Sequence, residues 1–309
     1  METFKIGICE PEDFSEKAIE VLKSIGEVVL YKNGNLSDFI KDKDAIFVRL
    51  RYDITDEIIG KDSKLRFICS PTTGLNHVNV QNSKVRVVSL KGEYEFLSSI
   101  RATPEHVFGL SIALMRNYAH AFLNKDNLIW NRNLYKGFEL FHSNVGIIGM
   151  GRVGKIIASY YQAFEATVRY VDVIDVVAPG CQRCESVEEL IEKSDIIILA
   201  ANYTIENHEM LNREHFDMME GKYFINAARG ELVDEASLIE KLKEGHFKGV
   251  AIDVLQDEAN GYPNLSKLLE LTEERNLIIT PHIGGATYTS MMRTEEFIAD
   301  KLYNILKND

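Results

Sequence analysis

The chain has 309 residues, of which 45% are hydrophobic, and this length and composition predict a globular protein of two domains. Its 35 Lys and Arg against 47 Asp and Glu give a net charge of −12, and no basic cluster lies at either end, which argues against a nucleic-acid partner. The N-terminus METFKIGICEPEDF carries charges where a signal peptide needs an apolar run, and no apolar stretch approaches the roughly 20 residues of a membrane span. We therefore expect a cytoplasmic protein with no membrane association.

Short apolar runs in the first 90 residues predict a first α/β domain. The strand candidates are FKIGI, EVVLY, AIFVRL, LRFIC and VRVVSL, and SEKAIEVLKSIG predicts a helix that ends at Gly26. A linker helix follows in ATPEHVFGLSIALMRNYAHAF, with Thr103 as the expected N-cap and Pro104 at the first helical position. Its predicted apolar face comprises Val107, Leu110, Leu114 and Tyr118.

A second α/β domain is predicted from about residue 145 onward. Six strand-like runs alternate there with amphipathic stretches: NVGIIG, TVRYVD, DIIILA, KYFIN, GVAIDV and NLIIT. This alternation predicts a doubly wound parallel sheet with crossover helices on both faces. A last helix, from about Ser290 with an apolar side of Met291, Ile298, Leu302 and Ile305, is expected to pack back on the first domain. The predicted domains are 1–102 plus 287–309, and 103–286.

The stretch VGIIGMGRVG predicts a dinucleotide-binding turn. Gly149, Gly151 and Gly154 form GxGxxG after a strand and at the start of a helix, where a tight turn and the helix N-terminus favour a pyrophosphate. The second strand ends at Asp172, 23 residues after Gly149 (172 − 149), where a carboxylate can bind the ribose hydroxyls and repel a 2′-phosphate. The motif therefore predicts NAD rather than NADP; a glycine-rich turn without a ligand is the alternative. Arg152 either reaches the pyrophosphate or caps the turn.

Polar residues follow the last three predicted strands. They are Arg229 after KYFIN, Asp253 and Glu258 after GVAIDV, and His282 after NLIIT. Because ligands bind beyond the carboxyl ends of the strands in open α/β sheets, we expect these side chains at one edge, together with the glycine loop. The other histidines, His106 among them, are expected on helices or surface turns away from this edge.

These residue types suit one kind of chemistry when they act together. A guanidinium can hold a planar carboxylate, an imidazole can move a proton at a neighbouring carbonyl oxygen, and a carboxylate beside the imidazole fixes its orientation. The set predicts a site for a 2-keto or 2-hydroxy acid. Taken singly, Arg229 suits a salt bridge, Glu258 a solvated loop and His282 a hydrogen-bonded loop position.

Several segments resemble the D-isomer-specific 2-hydroxyacid dehydrogenases over nearly the whole chain. INAARGELVDEASLIEKL, GVAIDV and TPHIGGAT resemble the second half of that family, and KLRFICSPTTGLNHV and RATPEHVFGL its first half. The resemblance implies two flavodoxin- and Rossmann-like domains, with Arg229, Glu258 and His282 as the catalytic residues. It also implies a homodimer through the nucleotide domains, near Trp130, although a core aromatic explains that residue equally well.

The resemblance also implies binding roles for backbone groups and loop residues. Asp253 and the carbonyl around Ala227 would touch the nicotinamide, and amides around Thr73 and Gly74 would receive the substrate carboxylate. The full set of predicted cofactor-binding residues is Gly149, Gly151, Arg152, Val153, Gly154, Asp172, Ala227, Asp253 and Gly284. The chain departs from the family pattern at Pro104, Asn202, Asn207 and Ala259, which puts the shape of the cofactor loop and the substrate preference in doubt.

The segment FVRLRYDIT bears on the substrate. Arg49 and Arg51 form an RxR similar to that of 3-phosphoglycerate dehydrogenases, and two cations would suit a second anion such as a phosphate. The alternative is a basic edge paired with Asp53 and Asp56. The leading substrates are 3-phosphoglycerate or a phosphoerythronate, followed by hydroxypyruvate or glyoxylate. An NAD-binding corepressor or sensor on the same scaffold is the rival from another class.

The cysteines predict no metal or redox centre. Cys181 and Cys184 form a lone CxxC in PGCQRCES, whereas a zinc site needs two further ligands nearby and a thioredoxin-type motif opens a helix. We expect reduced cysteines in a surface loop, with a metal or redox role as the alternative.

Overall fold

The computed structural model describes residues 3–81, 84–123, 132–258 and 261–308. Trp130 and Ala259, and the interpretations placed on them, lie outside the described residues. The chain forms two compact units: unit 1 comprises Met1–Ile100 and Ala286–Asp309, and unit 2 comprises Arg101–Gly285. The predicted domain bounds differ from these by one or two residues.

The secondary structure alternates between strands and helices along both units. The strands are β1 (Lys5–Ile8), β2 (Glu27–Leu30), β3 (Ala45–Phe47), β4 (Ile54–Thr55), β5 (Phe67–Ser70), β6 (Val78–Asn79), β7 (Arg86–Ser89), β8 (Asn144–Ile148), β9 (Thr167–Val171), β10 (Gln182–Arg183), β11 (Ile196–Leu199), β12 (Tyr223–Asn226), β13 (Gly249–Ile252) and β14 (Leu277–Ile279). The helices are α1 (Glu16–Lys23), α2 (Leu36–Ile40), α3 (Asp56–Ile59), α4 (Tyr94–Leu97), α5 (Ala102–Met115), α6 (Tyr118–Leu123), α7 (Arg152–Ala163), α8 (Val187–Glu192), α9 (Arg213–Asp217), α10 (Glu235–Lys243), α11 (Leu265–Leu271) and α12 (Tyr288–Asn308). None of the described helices is both long enough and apolar enough to span a bilayer.

Unit 1 is built on a five-stranded parallel sheet in the order β2-β1-β3-β5-β7. Helix α12 packs along α1, and Ile298 and Leu302 join the core of this sheet, so the end of the chain completes the unit formed by its beginning. Helix α1 ends at Lys23, not at Gly26 as predicted. Gly26 instead allows the backbone after α1 to pass close to Phe4, because a Cβ atom there would lie 2.0 Å from the carbonyl oxygen of Phe4.

Unit 2 is built on a seven-stranded parallel sheet in the order β10-β9-β8-β11-β12-β13-β14. The six predicted strands are present, and the chain reverses its direction of progress across the sheet between β8 and β11, the usual position of a ligand site. The additional edge strand, β10, lies between the two cysteines of CxxC. Cys184 is 2% exposed, so the expectation of a surface loop is wrong for this cysteine, whereas Cys181 is half-buried.

Helix α5 begins earlier than the sequence pattern predicts. Arg101 is the N-cap, without a side-chain cap bond, so the prediction of Thr103 as N-cap is wrong. The amide of Glu105 already donates to the carbonyl of Arg101, which places Pro104 within the first turn, where its missing donor costs nothing. Tyr118 belongs to α6. Helix α5 packs against β12, β13 and β14, the strands that carry the candidate site.

Candidate functional site

The glycine loop joins β8 to α7. Its three glycines, Gly149, Gly151 and Gly154, differ in how much space surrounds each of them. Gly149 has φ +96°, and a Cβ atom on it would lie 2.6 Å from the amide nitrogen of Ala201. A Cβ atom on Gly154 would lie 2.2 Å from the carbonyl oxygen of Gly149. A Cβ atom on Gly151 would meet nothing within 4 Å. The fold therefore requires the first and third glycines, while the second leaves open space at a helix N-terminus, which fits a dinucleotide pyrophosphate.

Asp172 follows β9 and lies beside the glycine loop. Its Oδ2 accepts a 2.7 Å hydrogen bond from the amide of Met150, and its Oδ1 accepts one of 3.1 Å from the amide of Ile174. Val173 and Ile174 are exposed, and neither offers a cation for a 2′-phosphate. The carboxylate is thus held where it could accept hydrogen bonds from the hydroxyls of a ribose, which fits NAD.

Arg152 and Val153 form the first turn of α7, and both are half-buried. Burial, together with the charge of Arg101, lowers the pKa of the Arg152 guanidinium from its ordinary value. A guanidinium remains charged under these conditions, so Arg152 supplies a cation beside the glycine loop.

Gly151→Ala should weaken NADH binding without destabilising the fold. We expect the dissociation constant to rise by about tenfold or more, because the added methyl group occupies space that only a ligand would use. Fluorescence titration with NADH and a thermal melt measure the two effects. Gly154→Ala is the contrast, since it should also lower the melting temperature; a Gly151→Ala protein that binds NADH normally would contradict the assignment of this loop.

His282 and Glu258 are in contact at the carboxyl end of the sheet. Their Nδ1 and Oε2 atoms lie 2.6 Å apart, and about a quarter of each side chain is exposed. The second carboxylate oxygen, Oε1, accepts a 3.0 Å hydrogen bond from the amide of Leu255, which fixes the carboxylate. His282 has φ +53°, a left-handed conformation that is costly for a residue with a Cβ atom. The structure therefore brings the predicted imidazole, on its constrained loop after β14, into contact with the predicted carboxylate on the loop after β13.

Asp253 fastens the loop that carries His282. It is 2% exposed, and its Oδ1 accepts hydrogen bonds from the hydroxyl of Thr280 (2.6 Å) and the amide of Ile283 (2.9 Å), while Oδ2 accepts one from the amide of Gly284 (2.8 Å). Burial raises the pKa of this carboxyl, but the hydrogen bonds outweigh burial and hold the pKa below its ordinary value. Asp253 is therefore a buried anion.

His106 lies in the same cluster, which corrects the expectation that it stands away from this edge. Its Nε2 is 3.3 Å from Oδ1 of Asp253 and 3.2 Å from Oγ1 of Thr280. The sequence prediction treated His106 only as a residue of a helix and missed that the helix packs beside these strands. The nicotinamide contacts predicted for Asp253 and Ala227, and the cofactor-binding role predicted for Gly284, remain predictions.

Arg229 stands on the loop after β12, which approaches the loop after β13 closely. Its Nη1 donates to the carbonyl of Ala228 at 2.7 Å, and Asn226 Nδ2 donates to the carbonyl of Arg229 at 3.0 Å. A Cβ atom on Gly230 would lie 2.0 Å from the carbonyl carbon of Leu255. Gly230 thus lets the arginine loop meet the glutamate loop, a role that sequence reasoning missed although the glycine directly follows Arg229. Ala227 is half-buried on the same loop.

Of the two asparagines that depart from the family pattern, Asn207 shapes the loop after β11 with its side chain, while Asn202 contributes its backbone carbonyl. Asn207 Nδ2 donates to the carbonyl of Asn202 at 2.8 Å, and Asn207 Oδ1 accepts from the amide of Thr204 at 2.7 Å. This side chain closes the loop, so the loop keeps a defined shape with asparagine at both positions.

In unit 1, Arg49 and Arg51 follow β3 and have different environments. Arg49 Nη2 donates to the carbonyls of Glu10 and Glu12, and its Nε lies 3.7 Å from Oε1 of the fully buried Glu295. Arg51 is 54% exposed and pairs at 3.2 Å with the exposed side chain of Glu12. The ion-pair partners of these arginines are glutamates, not the Asp53 and Asp56 of the alternative interpretation. Arg49 thus links neighbouring loops, while the side chain of Arg51 is more than half exposed, and its proposed contact with the substrate stays a prediction.

Thr73 and Gly74 lie on the loop after β5. The hydroxyl of Thr72 donates to the carbonyl of Gly74 at 2.8 Å and bonds to Ser70 at 2.8 Å, which closes a turn around these two residues. Thr73 is exposed and Gly74 is half-buried. Within the described ranges, the structure holds no group of three His, Cys, Asp or Glu side chains arranged to bind a metal ion.

Glu295→Gln should stabilise the protein increasingly as the pH rises. Burial raises the pKa of the Glu295 carboxyl from 4.5 to about 7, against the opposing effects of the Ser15 amide and Arg49. A raised folded-state pKa means that the wild type is most stable below the unfolded pKa and loses stability as the pH rises through the folded one. Relative to the wild type, Glu295→Gln should gain up to about 3 kcal/mol between about pH 5 and 8, from 1.36 kcal/mol per pKa unit.

Urea unfolding at several pH values measures this difference. The neighbouring Glu296 provides the control, because hydrogen bonding from Lys17 lowers the pKa of its carboxyl. The difference between Glu296→Gln and the wild type should therefore stay flat over the same pH range. A flat difference for Glu295→Gln as well would mean that Glu295 is already ionised in the fold at about pH 5.

A family model and several known proteins that resemble this chain all point to one family. Residues 108–284, more than half of the chain, match the family model described as D-isomer specific 2-hydroxyacid dehydrogenase, NAD binding domain. The chain is 29% identical to a D-3-phosphoglycerate dehydrogenase of Methanocaldococcus jannaschii, over 99% of this chain and 58% of that protein. It is 28% identical to a glyoxylate reductase of Thermofilum pendens, over 95% of this chain and 89% of that protein. The chain thus spans little more than half the length of the first relative.

A solved structure shares the whole architecture. D-lactate dehydrogenase from Aquifex aeolicus, crystallised with NAD and lactic acid, superposes with a TM-score of 0.84 and 27% sequence identity. The match covers 99% of this chain and 96% of that one. The fold of this chain therefore resembles that of a protein that has been crystallised with NAD.

Proposed function

Because the chain belongs to the D-isomer-specific 2-hydroxyacid dehydrogenase family, we propose that it transfers a hydride between NAD(H) and C2 of a small D-2-hydroxy or 2-keto acid. One observation carries the proposal: the 2.6 Å contact between His282 and Glu258, at the sheet edge that also holds the glycine loop. An imidazole held by a carboxylate is the proton-transfer group that such a reaction needs.

In the reduction of a 2-keto acid, each of the three side chains has a separate role. Arg229 holds the substrate carboxylate by a two-pronged contact and polarises the adjacent carbonyl. NADH, when bound, supplies the hydride to C2, and His282 donates a proton to the oxygen as the carbonyl π bond breaks, giving a hydroxyl group. Since Nδ1 of His282 faces Glu258, the proton leaves from Nε2. Glu258 keeps the imidazole in this orientation.

The cofactor in this proposal is NAD. Gly151 provides open space at the N-terminus of α7, Asp172 provides the carboxylate for the ribose, and Arg152 provides a cation for the pyrophosphate. The relatives described above are named dehydrogenases or a reductase, which does not favour the corepressor or sensor alternative.

A panel of 2-keto acids tests the activity. The protein is mixed with NADH and phosphonooxypyruvate, hydroxypyruvate, glyoxylate or pyruvate, and loss of NADH absorbance is followed. Oxidation with at least one acid is expected. If no acid of the panel is reduced while NADH still binds, the dehydrogenase proposal fails and the sensor alternative gains support.

We favour a substrate with a second anionic group, bound by Arg51. One relative is named for phosphoglycerate and another for glyoxylate, so membership of the family does not determine which acid is the substrate of this chain. Arg51 supports the larger acid because more than half of this side chain is exposed and its recorded ion-pair partner is itself exposed. Arg49 is committed to backbone carbonyls and Glu295. The amides of Thr73 and Gly74 are proposed to bind the substrate carboxylate.

Arg51→Gln should raise KM for a phosphorylated 2-keto acid and leave KM for glyoxylate unchanged. A rise of about tenfold or more is expected, because a hydrogen bond between charged groups is lost. Steady-state kinetics with both acids measure the split. Equal KM changes for the two acids would remove Arg51 from substrate selection and favour an unphosphorylated substrate.

The proposal also includes a homodimer and a cytoplasmic location. Size-exclusion chromatography tests the dimer.

A further inference from the structure

The loop that carries His282 is attached to the body of unit 2 mainly through one buried carboxylate. Thr280, Ile283 and Gly284 all donate to Asp253, and the amide of His282 donates to the backbone carbonyl of Asp253 at 2.8 Å. These contacts bind the loop to the neighbouring strand end. They also hold His282 in its left-handed conformation, which the chain would not adopt at low cost by itself.

Among the described donors to the Asp253 side chain, His106 alone belongs to a different element from this loop. It stands on the second turn of α5, a fourteen-residue helix that packs against β13 and β14. Its side chain is 18% exposed, and that of Asp253 is 1% exposed, so the contact is largely shielded from water. A largely buried hydrogen bond to a carboxylate stabilises more than an exposed one.

The hydrogen-bond partners of Thr280 and His106 determine where the protons of these two side chains lie. A carboxylate accepts hydrogen bonds but donates none, so the short contact at 2.6 Å uses the hydroxyl proton of Thr280. Neither Oγ1 of Thr280 nor Oδ1 of Asp253 then has a proton to offer to His106. Nε2 of His106 must therefore carry a proton and donate it toward these two oxygens.

We propose that His106 is a positioning residue for His282: through Asp253 and Thr280 it fastens the 280–284 loop to helix α5 and keeps the imidazole aligned for proton transfer. The role in proton transfer rests on the proposed function, whereas the fastening of the loop does not. The polar partners described for His106 are Thr280 and Asp253, so its proposed effect on the reaction passes through the loop that these residues hold.

Three variants test this inference in the 309-residue chain. His106→Phe keeps a planar ring and removes the donor; His106→Gln keeps an N–H donor at a similar reach; His120→Phe makes the same change at a half-buried histidine of α6. Hydrogen exchange followed by mass spectrometry reports the loop directly, and kcat, KM and the NADH dissociation constant report the reaction.

We expect exchange in the 280–287 segment of His106→Phe to rise by at least about tenfold, with the rest of unit 2 unchanged. We also expect kcat to fall by between about tenfold and a hundredfold, because a small misplacement of the proton donor slows the reaction while NADH binding stays within about twofold. His106→Gln should recover most of both effects, and His120→Phe should match the wild type.

Two results would overturn the inference. One is normal exchange of the 280–287 segment in His106→Phe; the other is a uniform rise across unit 2, which would make His106 a general packing residue. If the loop loosens as expected but the wild type reduces no 2-keto acid, the fastening is supported and only the proposed function fails.

Discussion

His282→Asn is expected to lower kcat for 2-keto acid reduction by between about a hundredfold and ten-thousandfold, the usual contribution of a positioned acid or base. NADH binding should stay within about twofold, because the hydrogen bonds described for His282 go to Glu258, Asp253 and Thr280 and not to the glycine loop or Asp172. Asparagine is the suitable replacement, since it tolerates the left-handed backbone at φ +53° better than most residues. Stopped-flow or steady-state NADH oxidation measures the loss, and fluorescence titration measures the binding.

The chain offers a matched control for this substitution. His142 also has a left-handed backbone, φ +60°, and is exposed on the loop before β8. His142→Asn therefore makes the same chemical change in the same backbone conformation, away from the site, and should keep wild-type kinetics. Equal activity of His282→Asn and His142→Asn would remove His282 from the reaction.

Gly230→Ala is expected to impair both stability and activity. Its new Cβ atom would lie 2.0 Å from the carbonyl carbon and 2.1 Å from the carbonyl oxygen of Leu255, and backbone cannot yield as a flexible side chain can. The loops that carry Arg229 and Glu258 must then move apart. We expect a loss of about 3 kcal/mol or more, the upper range for overpacking. The melting temperature should fall by about 6 °C or more, at roughly 2 °C per kcal/mol.

Gly109→Ala is the control for Gly230→Ala. Gly109 lies inside α5, where a Cβ atom would meet nothing within 4 Å, and alanine favours a helix by up to about 1 kcal/mol over glycine. Its melting temperature should therefore be unchanged or slightly higher. The same thermal melts and NADH assays apply to both variants. A Gly230→Ala protein with wild-type stability and turnover would show that the two loops do not need this close approach.

The strands and the grouping of the candidate site were predictable because both follow from short-range patterns. Each apolar run marks a strand, and in a parallel sheet the residues after successive strands lie at one edge. This reasoning placed Glu258 and His282 on neighbouring loops, and the structure has them in contact. Their catalytic roles stay predictions. The two-residue strand β10 was missed because it is too short to show any periodicity.

The features of the site that were not predicted from the sequence depend on contacts between distant parts of the chain. His106 and Asp253 are 147 residues apart (253 − 106), and no local pattern of either segment indicates the other. Gly230 is needed because of the backbone of Leu255, which the sequence around Gly230 does not reveal. The start of α5 was misplaced because Thr103 and Pro104 imitate an N-cap and a first helical position, while the backbone begins the helix at Ala102.

The chain leaves unit 2 three residues after His282 (285 − 282), and the histidine together with Glu258, Asp253 and His106 belongs to that one contiguous stretch. Arg51 and Thr73 are encoded elsewhere, in unit 1. A chimera that exchanges residues 1–100 and 286–309 for those of a relative with another acid preference would therefore keep the His282 loop and its contacts with Asp253 and His106 intact. Under the proposed function, such an exchange tests whether residues of unit 1 set the acid preference while the proton-transfer residues of unit 2 stay unchanged.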